Sequence, residues 1–437
     1  MSEVKIYETR PLKCWGKTKE LREEYYRDYA RAGEKGGHRW AGSGIAFDAL
    51  VNSLGDNFYQ LTGEPYGASV SLSPELSLKC LEAVESKGFA RDLCAYMRNY
   101  WGSLLINHYA FGGEFPKPEF NFTSHFCCMH SKWYQWAAEE EGVPFFGIDY
   151  AMGEVNDIKT RRHRVDYVVN QCYEALEWLE KVTGEKSDDE RLIRAVRNEC
   201  EATSLWAHIC TLNKAVPAPI DEKTLFSFYL FLVLMKSKPQ VANLFRELKA
   251  ELEDRIQNKI AALANERCRL IHHSQPPWPF LEVFRYMESY GAVSIGSYYT
   301  YCLGAAWELD DQDHLVPAKT PWERGQDIKT REDAIKALAE WNVMYRPIAH
   351  ATYTAEPLIK GVLSIVRDWK ADGAIMHYNR GCEGTSLHVA EVRQALLKAG
   401  VPVTSYEGNH ADAREFDIGS TMNRIDAFME SLELKKR

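Results

Sequence analysis

Residues 373–406, GAIMHYNRGCEGTSLHVAEVRQALLKAGVPVTSY, decide the fold class. The apolar run over 373–378 predicts a strand, and the glycine-flanked NRGCEG over 379–384 predicts a loop. Apolar residues at helical spacing predict a helix over 386–399, which leads into a second strand over 401–406. Because strands that alternate with helices in this order build parallel sheets, the sequence predicts an α/β fold with Cys382 in a strand-to-helix loop.

A second unit of the same kind lies earlier in the chain. A short alternating run over 119–126 predicts a strand, residues 128–141 have helical composition, and PFFGIDY over 144–150 predicts the next strand. Cys127 comes directly after the first of these strands. Ligands of parallel sheets collect at the carboxyl ends of strands, where the following helix directs its positive end, so Cys127 and Cys382 occupy matching positions that suit thiolate ligands.

At 437 residues the chain is too long for one ordinary core, and its composition changes along its length. We expect two flavodoxin-like or Rossmann-like parallel-sheet domains with helical additions. The predicted parts are a helical lead-in with a glycine-rich loop (1–44), a first α/β domain (45–156), a helical segment (157–266) and a second α/β domain (267–437).

Charge and hydropathy exclude several classes of protein. The formal net charge of −9 argues against nucleic acid and anionic membrane surfaces as partners. The charged N-terminus contains no signal-peptide core, and the longest apolar run, Leu225–Met235, is shorter than the ~20 residues that cross a bilayer. We therefore predict a cytoplasmic protein with no nucleic-acid or membrane partner, in which Leu225–Met235 is a buried helix.

Eleven cysteines are many for such a protein, and none of them forms a C-x-x-C pair. Any metal site must therefore draw its ligands from distant segments. Cys128 adjoins Cys127, and adjacent side chains at a strand end point in different directions, so one of the two is expected to serve. Seven others lack a glycine-rich or helix-start context and are predicted to be structural: Cys14, Cys80, Cys172, Cys200, Cys210, Cys268 and Cys302.

Five stretches carry a resemblance to a known family. They are DLCAYMRNYWG (92–102), CCMHSKW (127–133), NRGCEGTS (379–386), GVPVTSYEGNHADAREFD (400–417) and MNRIDAFME (422–430). Over nearly its whole length the chain resembles the benzoyl-CoA reductases and 2-hydroxyacyl-CoA dehydratases. The later stretches are similar to the B subunits of ATP-dependent benzoyl-CoA reductases.

The resemblance implies a [4Fe-4S] cluster held by Cys94, Cys127 and Cys382. Cys94 enters through the resemblance alone, and the resemblance also favours Cys127 over Cys128. Three protein ligands leave one iron with an exchangeable position, which is the arrangement of a catalytic site. GEPYGA over 63–68 keeps the family's pattern, which places this segment beside the acyl-thioester site.

The function that the resemblance implies is reduction of benzoyl-CoA to a cyclic dienoyl-CoA by low-potential single-electron steps. Expected partners are a paralogous cluster-bearing subunit, ATP-hydrolysing electron-activating subunits and reduced ferredoxin as donor. The chain has no G-x-x-x-x-G-K-[ST] motif of its own. Its 12 Trp and 23 Tyr are compatible with a flat apolar substrate pocket.

Three alternatives stay open. The same cluster in a 2-hydroxyacyl-CoA dehydratase subunit would eliminate water by radical chemistry. A non-catalytic electron-relay subunit would hold its cluster with four protein ligands, and a structural zinc protein would use the same cysteines for one metal ion.

Proton donors are expected near the cysteine loops, and His125 and Glu383 are the candidates. For His125 the alternative is a strand histidine that hydrogen-bonds a neighbour. For Glu383 the alternatives are to cap the next helix or to pair with Arg380. His272 and His273, after another predicted strand, are expected to be solvated and are not assigned to the site.

Overall fold

Two parallel sheets of four strands each organise the chain, in a computed structural model that describes residues 5–150 and 158–436. The first part contains helices α1 (Trp15–Ala30), α2 (Asp48–Asn52), α3 (Gly63–Ser71), α4 (Pro74–Ser86), α5 (Ala95–Leu105) and α6 (Cys128–Glu141), with strands β1 (His38–Gly42), β2 (Phe58–Thr62), β3 (Phe120–His125) and β4 (Phe145–Asp149).

Four long helices follow: α7 (Ile158–Thr183), α8 (Asp189–Leu212), α9 (Glu222–Leu234) and α10 (Pro239–Gln257). Gly184 directly follows α7, Pro217 and Pro219 lie between α8 and α9, and Pro239 is the first residue of α10. The predicted buried helix at Leu225–Met235 is α9, and its apolar side chains are largely buried.

The last part returns to alternating strands and helices. Its elements are β5 (Cys268–His273), α11 (Glu282–Glu288), β6 (Ala292–Gly296), α12 (Tyr298–Cys302), β7 (Trp307–Leu309), β8 (Leu315–Pro317), α13 (Arg331–Met344), α14 (Ile348–Ala351), α15 (Ala355–Asp368), β9 (Gly373–Asn379), α16 (Glu383–Ser386), α17 (Val389–Lys398), β10 (Val403–Gly408) and α18 (Ile418–Ser431). β7 and β8 form a small antiparallel pair apart from the main sheet.

The two main sheets have the same topology. Their strand orders are β2-β1-β3-β4 and β10-β9-β5-β6, and every neighbouring pair is parallel. Each sheet therefore has two internal strands, β1 and β3 in the first and β9 and β5 in the second. This confirms the predicted α/β class with two Rossmann-like parallel sheets, and Cys127 and Cys382 each follow an internal strand of their own sheet, β3 and β9.

The sequence predicts a loop for the glycine-rich stretch 33–44, but the structure also has a strand there. It contains β1, an internal strand that pairs with both β2 and β3. The strand has only five residues between glycines, and this is too short for its alternation to outweigh the turn signals around it. The division of the chain into four parts stays a prediction, and its boundary at 156/157 lies outside the described residues.

Helix α5 is fastened to the C-terminal part of the chain. The buried guanidinium of Arg98 pairs with the buried carboxylate of Asp412 at 3.1 Å, and its Nε donates to the carbonyl of Leu93 at 3.0 Å. The Asn99 amide donates to the carbonyl of Ala411 at 2.9 Å. Two stretches that carry the family resemblance, 92–102 and 400–417, therefore pack directly against each other.

Two buried acidic residues, Asp221 and Glu222, stand at the start of helix α9. Asp221 caps the helix by accepting the N–H of Thr224 at 3.0 Å, and Glu222 accepts the hydroxyl of Ser294 on β6 at 2.6 Å. Glu222 is fully buried, and this burial raises its pKa to about 7 despite hydrogen bonds that favour the charged form.

Among the helices of the described residues, none is both long and apolar enough to cross a bilayer.

Glu222→Gln should make the stability of the protein less dependent on pH. The folded chain holds the Glu222 proton to a higher pH than the unfolded chain does, so this group favours folding at low pH and that contribution is lost as the pH rises to about 7. The loss is roughly 2–3 kcal/mol between pH 5 and pH 7.5. Urea unfolding at both pH values measures it, with the exposed Glu282→Gln as control. Equal pH dependence in the Glu222→Gln variant and the wild type would contradict the assignment.

Candidate functional site

Three cysteines each lie immediately before a helix. Cys94 precedes α5, Cys127 precedes α6 and Cys382 precedes α16. The backbone N–H groups two and three residues further on lower the pKa of each thiol, and these belong to Tyr96 and Met97, to Met129 and His130, and to Gly384 and Thr385. The same local geometry therefore occurs three times, and it stabilises negative charge on sulfur each time.

The three sulfurs belong to one electrostatic environment. Burial, together with the nearby Cys382, raises the pKa of Cys94 to about 12. Burial also raises the pKa of Cys127, with added contributions from Cys94 and Cys382, and it raises the pKa of Cys382. Three neighbouring thiolates in a buried site need compensating positive charge, which a metal centre provides.

Two glycines let the loop that carries Cys382 approach the other two cysteine loops. Gly381 has a positive φ of 75°, and a Cβ at this position would lie 2.7 Å from the carbonyl oxygen of Asp92, just before Cys94. A Cβ on Gly384 would lie 3.0 Å from the ring of Phe126, just before Cys127. The sequence GCEG thus places Cys382 against both partners.

Polar side chains surround the sulfurs. The Gln275 amide donates to Cys382 Sγ at 3.7 Å, and its oxygen accepts the Tyr96 hydroxyl at 3.0 Å. That hydroxyl in turn accepts the indole N–H of Trp278. This chain of hydrogen bonds fixes the orientation of the amide, so its N–H group points at the sulfur.

His410 contacts the Cys94 loop from the C-terminal part of the chain. The Asn379 side-chain oxygen is 3.0 Å from both the backbone nitrogen and Nδ1 of His410, so both donate to it. Nε2 is then the acceptor for the N–H of Tyr96 at 3.3 Å, and it lies 3.6 Å from Cys94 Sγ. Burial lowers the pKa of His410 well below its usual value, so the ring is neutral.

The sulfurs face a cavity of about 460 Å³. Aromatic side chains form much of its wall, among them Tyr96, Phe126, Trp133, Tyr229, Trp278 and Tyr299. The segment 63–68 contributes Glu64, Pro65 and Ala68. Glu64 Oε1 lies 2.9 Å from His130 Nε2, and the Glu64 carboxylate also accepts the N–H of Gly44 at 3.1 Å. The cavity is therefore mainly apolar and contains a carboxylate–imidazole pair.

A second opening reaches the same cysteines. It has a volume of about 320 Å³ and is bordered by Cys94 and Cys382 together with Asp92, Met129, Asn379 and Leu387. Cys94 and Cys382 border both spaces, as do Met129, Gly381 and Glu383, so the two spaces meet at the cysteine loops.

In the part of the chain that the structure describes, no three His, Cys, Asp or Glu side chains are grouped to hold a metal ion between them.

The other cysteines are placed as the sequence suggests. Cys128 is exposed and does not line the main cavity, and its Sγ lies 3.8 Å from the hydroxyl of Tyr353. The two adjacent side chains at 127 and 128 thus point apart. The seven cysteines predicted to be structural are all buried, and none of them lines the main cavity.

The candidate acids differ in position. His125 is outside the main cavity wall, and its Nδ1 lies 3.3 Å from a carboxylate oxygen of Asp149. This position agrees with the alternative, a strand histidine that contacts a neighbour. Glu383 does line the cavity and accepts the N–H of Cys128 at 3.1 Å. The alternative pairing of Glu383 with Arg380 is wrong, because Arg380 pairs with Glu407 and with a second glutamate, at 415.

The expectation that His272 and His273 are solvated is also wrong. Both are buried, and His272 Nε2 is 2.7 Å from the hydroxyl of Tyr406. They belong to β5, an internal strand of the second sheet, so even its last two residues are covered. Burial lowers the pKa of both rings, to about 4 for His273.

Sequence reasoning missed several residues of the site: Glu64, His130, Gln275 and His410. Cys94 came from the resemblance alone, although a local signal exists, since it directly precedes a helix just as Cys127 and Cys382 do. Gln275 and His410 have no such signal, because they reach the sulfurs only through folding over sequence separations of 107 and 316 residues.

Gly381→Ala should destabilise the protein and loosen the Cys382 loop. The new Cβ would meet the carbonyls of Asp92 and Leu93 in addition to the strain of a positive φ. Gly400→Ala is the matched control, because its φ is 77° but a Cβ there meets nothing within 4 Å. We expect the loss at 400 to be about 1 kcal/mol and the loss at 381 to exceed it. Urea unfolding and the alkylation rate of Cys382, followed by mass spectrometry, measure the effect. If both variants lose the same free energy of unfolding, the approach of Gly381 to the carbonyls of Asp92 and Leu93 is not a close contact.

Comparison with known proteins gives the family. The chain is 27% identical to the (R)-2-hydroxyisocaproyl-CoA dehydratase alpha subunit of Clostridioides difficile, over 83% of this chain and 82% of the relative. It is 24% identical to the (R)-phenyllactyl-CoA dehydratase alpha subunit of Clostridium sporogenes, over 81% and 80%. Identity to the B subunit of benzoyl-CoA reductase from Thauera aromatica is 23%, over 80% and 79%. The family model described as 2-hydroxyglutaryl-CoA dehydratase, D-component, matches residues 45–432. The resemblance seen in the sequence is thereby confirmed, and the chain belongs to the 2-hydroxyglutaryl-CoA dehydratase D-component family.

Proposed function

We propose that this chain is the [4Fe-4S]-bearing subunit of a benzoyl-CoA reductase, with Cys94, Cys127 and Cys382 as the cluster ligands. The observation that carries the proposal is the convergence of three cysteine sulfurs, each facing two backbone N–H groups, on one aromatic cavity. Membership in a family whose curated relatives act on acyl-CoA thioesters supports the substrate class.

The donor set suits a cluster better than a single ion. In a cluster each thiolate binds a different iron, so three cysteines on three separate loops can serve without meeting around one ion. N–H groups directed at cysteine sulfurs are the usual surroundings of iron–sulfur clusters, because they compensate the negative charge. With three protein ligands, one iron would keep an exchangeable position toward the cavity.

When bound, the cluster supplies electrons one at a time at low potential. The cavity wall then keeps bulk water from the reacting atoms, because Phe126, Trp133 and Tyr299 present apolar ring surface to it. Glu64 Oε1 and His130 Nε2 lie within hydrogen-bond distance, at 2.9 Å, beside the same space. We propose this pair as the proton donor of the site because both side chains line the cavity, whereas His125 is outside the cavity wall and Glu383 has no imidazole partner among the described residues.

A second candidate function is favoured by the relatives. The (R)-2-hydroxyisocaproyl-CoA and (R)-phenyllactyl-CoA dehydratase alpha subunits are slightly more similar to the chain than the B subunit of benzoyl-CoA reductase is. In a 2-hydroxyacyl-CoA dehydratase the same site would remove water from the substrate and would cause no net reduction. The aromatic wall suits a flat ring better than an aliphatic acyl group, and both benzoyl-CoA and phenyllactyl-CoA carry such a ring. We propose the reductase because the stretches 400–417 and 422–430 are similar to the B subunits of benzoyl-CoA reductases.

The proposal includes partners. The relatives are named as alpha or B subunits, which is consistent with a hetero-oligomer. We propose a paralogous cluster-bearing subunit, ATP-hydrolysing electron-activating subunits and reduced ferredoxin as the electron donor. A cytoplasmic location is part of the same proposal.

Replacing any one of the three proposed ligands with serine should remove the cluster. We expect iron and acid-labile sulfide to fall to a small fraction of the wild-type content in Cys94→Ser, Cys127→Ser and Cys382→Ser, measured on anaerobically purified protein. Cys128→Ser is the matched control and should keep its iron, because Cys128 is exposed and directed away from the cavity. Full iron content in any of the first three variants would sink the assignment.

Turnover separates the two candidate functions. The complex co-purified anaerobically with its partners should reduce benzoyl-CoA to a dienoyl-CoA when ATP and a low-potential donor are present. A parallel assay with (R)-phenyllactyl-CoA and (R)-2-hydroxyisocaproyl-CoA tests for elimination of water. Elimination with no ring reduction would establish the dehydratase. Glu64→Gln, which removes the acid but keeps the shape, should lower kcat in either reaction by about a hundredfold.

A further inference from the structure

The main cavity has an inner and an outer end. The inner end is at Cys94, Cys127 and Cys382, whose loops are buried or half-buried. The outer end is marked by side chains that line the cavity and are also exposed to solvent, Trp15 at 43% and Leu72 at 59%. A substrate enters past these two residues if its reacting group is to reach the sulfurs.

Two cations at the cavity wall have no carboxylate partner. Arg22 on α1 is exposed, Lys223 in the first turn of α9 is half-buried, and neither forms an ion pair within the described chain. Arg285 also lines the cavity, but it is paired with Glu288 and lies 3.8 Å from Asp221. In a chain of net charge −9, two unpaired cations on one cavity form a local site for an anion.

The position of Lys223 is fixed by its neighbours. Asp221 caps α9, and the side chain of Glu222 is held against β6 by the hydroxyl of Ser294. These contacts hold the first turn of the helix in place, with Lys223 on the cavity wall beside Thr224 and Ser227. The cation is thus presented by a rigid element, and this lowers the entropic cost of binding an anion.

The wall between the two ends is mainly apolar, with scattered hydroxyl groups. Ala68, Phe226, Leu230 and Leu281 supply the apolar surface, while Ser69, Thr224 and Ser227 supply hydrogen-bonding groups. An uncharged chain that contains amide groups suits such a passage, because each amide finds a polar partner and the methylene groups are buried. The pantetheine arm of CoA has this chemistry.

We propose that the mouth formed by Trp15, Arg22 and Lys223 binds the phosphorylated nucleotide end of a CoA thioester. The two cations bind the phosphate groups, and the exposed indole of Trp15 stacks on the adenine ring. The arm then runs along the apolar wall and delivers the thioester to the three cysteines. This inference rests on the proposed function, and it assigns the direction in which the substrate lies.

Binding of two thioesters to the full chain tests the proposal. Benzoyl-CoA carries the nucleotide and its phosphates, whereas S-benzoyl-pantetheine lacks both. Calorimetric titration of anaerobically purified protein should show that Arg22→Glu and Lys223→Glu each weaken benzoyl-CoA binding about tenfold or more and leave S-benzoyl-pantetheine binding unchanged. Lys398→Glu makes the same charge change at an exposed site away from the cavity, so it should leave both affinities unchanged.

Two further variants guard against a folding effect. Lys223→Gln removes the charge without reversing it and should give a smaller loss for benzoyl-CoA alone. Trp15→Ala should weaken benzoyl-CoA and leave S-benzoyl-pantetheine unchanged. Equal losses for both ligands, or no loss for benzoyl-CoA, would overturn the assignment of the mouth while the proposed function stands. If the wild type binds neither thioester, the proposed function and the inference both fail.

Discussion

The buried ion pair between Arg98 and Asp412 is the interaction on which the arrangement of the site depends. Arg98 lies on the helix that begins after Cys94, and Asp412 follows the strand that lies beside the Cys382 strand. Both groups are fully buried, and each has a second partner, since Arg98 lies 3.3 Å from Glu85 and Asp412 lies 2.7 Å from Arg414, so the pair is the buried part of a network of four charged side chains. The pair therefore joins the first and last parts of the chain at the point where their cysteines meet, and the Gly381 contact with Asp92 makes the same junction tight.

Local sequence pattern was sufficient to predict the helices and strands whose own residues show a clear helical or alternating period. The strand, loop and helix around Cys382 and the equivalent unit around Cys127 lie where the alternation placed them, and both cysteines follow internal strands of their sheets. Pattern failed for β1, whose five residues are surrounded by glycines, and for the two histidines of β5, whose burial depends on neighbouring strands. It also missed Gln275 and His410, because periodicity describes neighbours in sequence, whereas these side chains reach the sulfurs from distant segments.

The site combines rigid backbone donors with adjustable side chains. Each sulfur faces N–H groups of the second and third residues after it, which cannot be altered by substitution without moving the backbone. The cavity wall, in contrast, is made of side chains such as Phe126, Trp133 and Tyr299. The side chains of the wall can therefore be substituted without moving the cysteine loops, so the same scaffold can accommodate different acyl groups.

The second opening at Cys94 and Cys382 has a consequence for the order of events in a catalytic cycle. Asn379 and Leu387 border this opening and do not line the main cavity, whereas Cys94 and Cys382 border both. Under the proposed function, a donor protein that docks at Asn379 and Leu387 would reach the cysteines without occupying the space that the substrate takes. The donor could then be exchanged while the substrate stays bound, so a reaction that needs more than one electron could be completed before the product leaves.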